Sequence, residues 1–242
     1  IQNLLELMYP NHGGTITTSM TYPAAPTVND LSHGETAESV SKLAFIILQN
    51  PLATRDHYMH SANLQELTLS MSATADGGRL RASGQFMSGY KPIIENNSIG
   101  ADTGDADYAK GLFDCTTSTF GGDAAIVRDF SLTISNPASR VGWQGTGGET
   151  DGYSRGGAFS ITGSITMKSD SLQQINDDTF WKANLTAALV LGQGTNIDFN
   201  LPAVNVSNIS YNMADEGVFQ TVDFTATSGA DAGGNLAVLK FT

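Results

Sequence analysis

Alternation of apolar and polar residues with a period of two recurs along the chain and predicts strands rather than helices. Over residues 217–227, Val218, Val222, Phe224 and Ala226 share one phase, and Thr221, Asp223, Thr225 and Thr227 share the other. That is the signature of a sheet with one buried face and one wet face. The preceding run, 199–214, reads as its hairpin partner across a tight acidic turn, Asp215-Glu216. Within it, Val204 and Val206 lie in even phase, but Ile209 and Tyr211 lie in odd phase. The slip at Ser207-Asn208 predicts a β-bulge that bends the strand.

Other segments follow the same rule. In 64–87, Leu67, Leu69, Met71 and Ala73 align, Asp76-Gly77-Gly78 supplies a turn, and Leu80, Ala82 and Phe86 return on a buried face. Phe130, Leu132 and Ile134 align in 127–136, and Phe159, Ile161, Ile165 and Met167 align in 157–170. The first hairpin, "LTLSMS … RASGQFMSG", and this second unit, "FSLTISN … FSITGSITMKSD", resemble each other enough to suggest a weak internal duplication. "LTAALVL" (185–191) and "NIDFNLP" (196–202) predict a further pair, and "NLAVLKF" (235–241) a last strand. The stretch 36–49 fits a helix or a strand, and its β-forming "LAFIIL" favours a strand. One helix is predicted, over 170–184, capped by Ser169 or Asp170. Residues 1–34, with three prolines and little periodicity, read as an extended arm with a short helical turn at 3–8. Residues 35–242 read as a single domain, with long loops at 88–125 and 140–157.

Composition sharpens this picture. The 242 residues include 26 glycines, which favours many turns over long helices. Only 15% of residues are charged, so Ser, Thr, Asn and Gly must carry much of the solvation. The formal net charge is −12, from 24 acids and 12 bases. A domain that grips DNA or an anionic membrane through phosphate contacts is normally basic, so adhesive binding of either is not expected. An acidic surface near DNA is still compatible with avoiding adhesion. No apolar run is long enough to span a membrane, and the first residues lack a signal-peptide pattern.

Candidate chemistry is sparse. A single cysteine, Cys115, excludes an internal disulfide and a Cys-based zinc cluster, and reads as a small half-buried residue. His57 and His60 would not share a strand face, and no acid or cysteine completes a ligand spacing around them. The acidic loop "DTGDAD" (102–107) lacks the glycine and closing glutamate of an EF-hand. Asp177-Asp178 and Asp215-Glu216 are adjacent acids whose side chains diverge, so they do not form a glycosidase pair. No nucleophile elbow or phosphate loop occurs. Neither an enzyme nor a cofactor is expected. Trp143, in a Gly-rich tip, reads as a local packing anchor or an anchor into a neighbouring subunit.

Three stretches carry a family resemblance: "KLAFIILQNPLATRDHYMHSANLQELTLSMSATADGGRLRASGQFMSG", "VRDFSLTISN … GGAFSITGSITMKSDSLQQI … FWKANLTAALVL" and "IDFNLPAVNVSNISYNMADEGVFQTVDFTAT". In strand order and in the Leu-Pro and Phe-Xaa-Ala endings, the chain resembles the major tail tube proteins of long-tailed bacteriophages, including their gene-transfer-agent relatives. The resemblance implies a mainly β, antiparallel sandwich or half-barrel with one flanking helix, and 36–49 as a strand. It implies six-membered rings, stacked into a tube that conducts double-stranded DNA from capsid to host. Its partners would be further copies of the chain and other tail proteins, and its location the virion tail, assembled in the host cytoplasm. Asp215, Glu216 and Asp223 would then be lumen or rim charges. Two alternatives remain: a carbohydrate- or receptor-binding β-sandwich, which would need an exposed aromatic platform, and the tube protein of a contractile injection device.

Overall fold

The computed structural model describes residues 4, 8, 19–23, 44–48, 55–89, 93–96, 110–115, 117–142, 153–157, 159–169, 187–192, 197–214, 217–227 and 235–241. Among these the chain is mainly strand. The strands are β1 (Ser19–Pro23), β2 (Ala44–Leu48), β3 (Arg55–Ser72), β4 (Arg81–Ser88), β5 (Ile93–Asn96), β6 (Ser118–Phe120), β7 (Asp123–Ala124) and β8 (Val127–Ser135). They continue as β9 (Ala138–Arg140), β10 (Tyr153–Arg155), β11 (Ser160–Lys168), β12 (Ala187–Leu191), β13 (Ile197–Ala214), β14 (Gly217–Ala226) and β15 (Asn235–Phe241). Every strand pair in the main sheet is antiparallel, and the sheet does not close on itself.

Two long strands organise it. β3 pairs with β2 and β5 near its start, and with β4 and β8 near its end. Ala62 of β3 faces Ala44 on one side and Ser88 on the other. β13 does the same job at the far side. Its first half lies between β12 and β15, while its second half pairs with β14. Between these anchors the neighbours run β3-β8-β11-β14-β13.

The inward phase of each strand feeds one apolar cluster. Leu67, Leu69, Phe130, Leu132, Ile134, Ile161, Ile165, Val222 and Phe224 meet Leu189, Leu191, Phe199, Leu201 and Leu239 there. Phe130 of β8 and Phe199 of β13 bring their ring centroids to 6.0 Å, with a tilt of 43°. Such tilted aromatic pairs are favoured beyond their buried area. Residues 4 and 8 are helical; Met8 is fully buried in the same cluster, and the buried Asn136 side chain donates a 3.1 Å hydrogen bond to its carbonyl.

The bulge read from the phase slip is present. The β13–β14 register shifts between Val206 and Asn208, which leaves Ser207 as the extra residue. Val206 opposes Phe224 before it and Ile209 opposes Val222 after it, so the apolar phase stays inward. Several expectations need adjusting. The returning strand β4 is an edge strand, and Ala82 on it is exposed rather than buried; only Leu80 and Phe86 pack against the core. Ala82 stands opposite the buried Leu69, in the inward phase, at the margin of the sheet. The 88–125 stretch, expected as loop, holds β5, β6, β7 and a 3-10 turn at Leu112–Asp114. Within 1–34, β1 pairs with β15. The predicted helix over 170–184 lies outside the described residues.

Candidate functional site

The outward phase of the same strands makes one continuous polar face. Its rows follow directly from the register. One row runs Ser83, Thr68, Thr133, Thr162, Thr225, Asn205 across β4, β3, β8, β11, β14 and β13. The next runs Arg81, Ser70, Ser131, Ser164, Asp223, Asn208 over the same six strands. A third brings together Ser72, Asp129, Thr166, Thr221 and Ser210. β-branched Thr suits the strand backbone, and its hydroxyl keeps the surface wet without charge.

These hydroxyls bond across strands. Thr68 and Thr133 approach to 3.0 Å, and Thr166 and Thr221 to 2.9 Å. The Ser72 hydroxyl donates to the Asp129 carboxylate. The face is therefore stitched sideways as well as through its backbone ladder, in the manner of favourable cross-strand pairs.

Asp223 sits on this face and holds the bulge. Its carboxylate accepts a 3.1 Å hydrogen bond from the Asn208 amide, and its backbone carbonyl accepts one of 3.1 Å from the Ser207 hydroxyl. The bulged residue and its neighbour are thus both tied to one residue of β14. The buried Gln220 donates to the Tyr211 hydroxyl at 3.0 Å, fixing the hairpin beyond the bulge. At the start of β8, the Arg128 guanidinium lies 4.3 Å from the centroid of the Phe219 ring.

Two strand edges bound the face. Among the described residues, β4 pairs with β3 alone, and the 205–214 half of β13 pairs with β14 alone. The β3–β4 turn at Asp76–Gly78 and the pair Ala214–Gly217 that closes the β13–β14 hairpin lie at the same end of the sheet. Asp76 and Gly77 both adopt positive φ in that first turn, at 53° and 64°. Asp76 also forms a 2.5 Å ion pair with Arg81, whose side chain is 65% exposed.

Of the charges singled out from sequence, Asp223 is placed on the face; Asp215, Glu216 and Trp143 lie outside the described residues, as does the 102–107 loop. His57 is exposed on β3. Cys115 follows the 3-10 turn, and burial, with a smaller push from Asp114, raises its thiol pKa from 9.0 to about 12. A thiol held in its neutral form is a poor nucleophile. Among the described residues no group of three His, Cys, Asp or Glu side chains is placed to hold a metal ion. Nor is any described helix long and apolar enough to cross a membrane. Sequence reasoning did not find the hydroxyl rows. Their signal was available in the aligned Ser/Thr phases of β3, β8, β11 and β14, but it needs the register to become a surface.

The site is thus a broad hydroxyl-covered sheet face, stiffened by side-chain bonds and bounded by two strand edges. The chain belongs to the phage tail tube protein family, whose model matches residues 10–226. It is thus a structural protein of the virion tail. No curated protein matches the chain.

Proposed function

We propose that copies of this chain form six-membered rings that stack into a tail tube, and that the hydroxyl face lines the lumen through which double-stranded DNA leaves. The observation that carries this reading is the six-strand run β4-β3-β8-β11-β14-β13 with an edge at each end. Five antiparallel steps separate β4 from β13, so the two edges run in opposite directions. Placed side by side in a ring, β13 of one copy and β4 of the next continue the antiparallel alternation without a break. A closed wall of this kind removes the exposed edges that an isolated sheet would present to other chains.

The lumen must let a polyanion slide. Neutral hydroxyls make up most of the face, with Arg81 and Lys168 toward its margins, and the chain's net charge of −12 opposes phosphate binding. Asp223 on the face, with Asp215 and Glu216 at the hairpin turn, serves as a lumen or rim charge. In this reading the sheet halves that share the core pack as a two-layer sandwich flanked by a helix over 170–184. Residues 1–34 act as an arm on the 35–242 domain, and the 140–157 tip anchors a neighbouring subunit through Trp143.

The test is direct. Purified full-length protein, concentrated and viewed by negative-stain electron microscopy, is expected to form rings or tubes. A chain that stays monomeric at every concentration, and in the presence of tail initiator proteins, would overturn the proposal.

A further inference from the structure

The two edges of the six-strand run are stepped, and the steps lie at opposite ends. With the β3–β4 turn taken as the top, β4 is open from Arg81 downward, and Arg81 to Gln85 are all exposed. Above Arg81 the same chain caps the edge: Leu80 donates its N–H to the Lys110 carbonyl at 2.6 Å, and Arg79 bridges Gly111. β13 is open the other way. Val204 still has β12 beside it, at Ala187, whereas 205–214 pairs with β14 alone among the described residues. The row from Arg81 to Asn208 therefore joins the top of one open edge to the lower part of the other. A ring closed straight across this row would drive residues 209–214 against the capped stretch of the next copy, and would set 84–88 of that copy against β12.

We infer that the ring closes with a stagger of six residues, so that Ile209–Ala214 of one copy pair antiparallel with Arg81–Phe86 of the next. This rests on the ring proposed above and fixes how its copies join, through a heterologous contact between two different edges. Ala214 is the sixth residue beyond Asn208. Sliding β13 down by that amount sets Ala214 beside Arg81 and Asn212 beside Ser83. Met213, Tyr211 and Ile209 then stand beside Ala82, Gly84 and Phe86. The faces stay in phase: apolar positions continue the core side, and polar ones continue the hydroxyl face. A slip of one residue would exchange the two faces.

The side chains suit this register. Met213 and Tyr211 lie in the inward phase, yet they are 83% and 45% exposed. Ala82 and Gly84, also inward in phase, are small and exposed. Large against small covers both sets, and an aromatic ring laid across a strand glycine compensates for its missing side chain. The backbone suits it too. Ala214 and Gly217 close a two-residue turn, so the outward-phase residues of β13 direct their N–H and C=O groups to β14. Ile209, Tyr211 and Met213 hold theirs toward the open edge. On β4, Leu80 reaches Lys110 on the open side, so Ala82, Gly84 and Phe86, in the same phase, point there as well. Pairing the two edges satisfies both rows of groups.

The dimensions agree. Six residues span about 20 Å along a strand, and six strands span about 29 Å across the sheet. Their ratio leans the strands by about 35°, the tilt at which sheets close into barrels. The hand agrees as well. In a rising strand of L-residues, those with side chains toward the viewer point N–H and C=O to the right, which makes β13 the right-hand edge seen from the core side. Strand twist leans the strands of a closed wall to the right seen from outside. That lean sets each right-hand edge against a lower part of the next copy, in the direction of the step.

Cysteine pairs test the register, in full-length protein carrying Cys115→Ser so that the native thiol cannot compete. Asn212→Cys/Ser83→Cys would form a non-hydrogen-bonded pair across each staggered junction, with Cα atoms about 4.5 Å apart, within disulfide range. Oxidised assemblies are expected to run on a non-reducing gel as a ladder up to the closed ring, and to collapse to monomer with reductant. Asn205→Cys/Ser83→Cys is the matched control. It bridges a straight-across junction, but in the staggered one its thiols lie about 20 Å apart along the strands, so it is expected to stay monomeric on the gel. A ladder from the control alone overturns the stagger, and rings that give no ladder with either pair overturn the β13–β4 junction. A second variant needs no cross-link. Met213→Asp alters a side chain exposed in the single copy, so circular dichroism should show an unchanged fold. It places a charge against Ala82 of the next copy, and the critical concentration for ring formation is expected to rise about tenfold or more. Assembly of Met213→Asp at the wild-type concentration overturns the inference and leaves the ring standing. Wild-type protein that forms no rings overturns the ring itself.

Discussion

At the scale of single residues, the fold depends on positions that a hydropathy pattern undervalues. Gly163 lies on β11 in the inward phase, between Ile161 and Ile165. A Cβ there would stand 2.5 Å from the Phe224 ring and 2.5 Å from the Ser131 carbonyl oxygen. The ring of Phe224 opposes Gly163 in register and fills the space a side chain would take. Glycine in a strand interior often marks such a close approach. Replacing Gly163 with Val is expected to destabilise the subunit by about 1–3 kcal/mol through overpacking. Denaturant unfolding of the monomer would show a lower midpoint with an unchanged slope. Unaltered stability would mean that the ring moves aside freely. The sequence shows Phe224 as apolar and inward, but not that it needs a glycine partner. That requirement comes from the β11–β14 register. The same holds for Gln220, polar by type yet fully buried, because Tyr211 supplies its partner.

At the scale of elements, the β13–β14 hairpin was legible almost in full from its alternation, including the bulge. Short strands were not. β6 and β7 span only three and two residues, too few to show a period. β1 gains its place from β15 at the other end of the chain, a partnership no local pattern announces. The bulge itself invites a test. Because Ser207 is the extra residue, deleting it leaves Val206, Ile209 and Tyr211 in regular alternation, all in the inward phase. The deletion removes the Ser207–Asp223 hydrogen bond, a loss of about 0.5–1.5 kcal/mol, and straightens the strand where a bulge bends it. The subunit is therefore expected to fold with a modest drop in melting temperature. Assembly should change more, because the wall has lost its bend: rings of altered diameter, or fewer rings, in electron micrographs. Rings of normal diameter and yield would show that the bulge does not set the curvature.

At the scale of the whole molecule, the sequence's charge of −12 argues against a surface that grips phosphates. It did not reveal that the described outward face is mostly hydroxyl. On the three rows and the rows that flank them the charged side chains include Glu66, Arg81, Asp129, Lys168 and Asp223, set among Ser and Thr. Neutrality can therefore be tested separately from net charge. Thr133 and Thr225 lie in one row, separated by Thr162, so lysines at both avoid a directly opposed like-charge pair. Tubes built from Thr133→Lys/Thr225→Lys would carry two extra cations per subunit on the face. If that face lines the lumen, particles assemble but release DNA slowly, and release speeds up as salt rises, because each neutralised phosphate returns its counterions on dissociation. Thr133→Gln/Thr225→Gln matches the bulk without the charge and should release DNA as the wild type does. Normal release from the lysine particles at low salt would mean that the hydroxyl face looks away from the DNA.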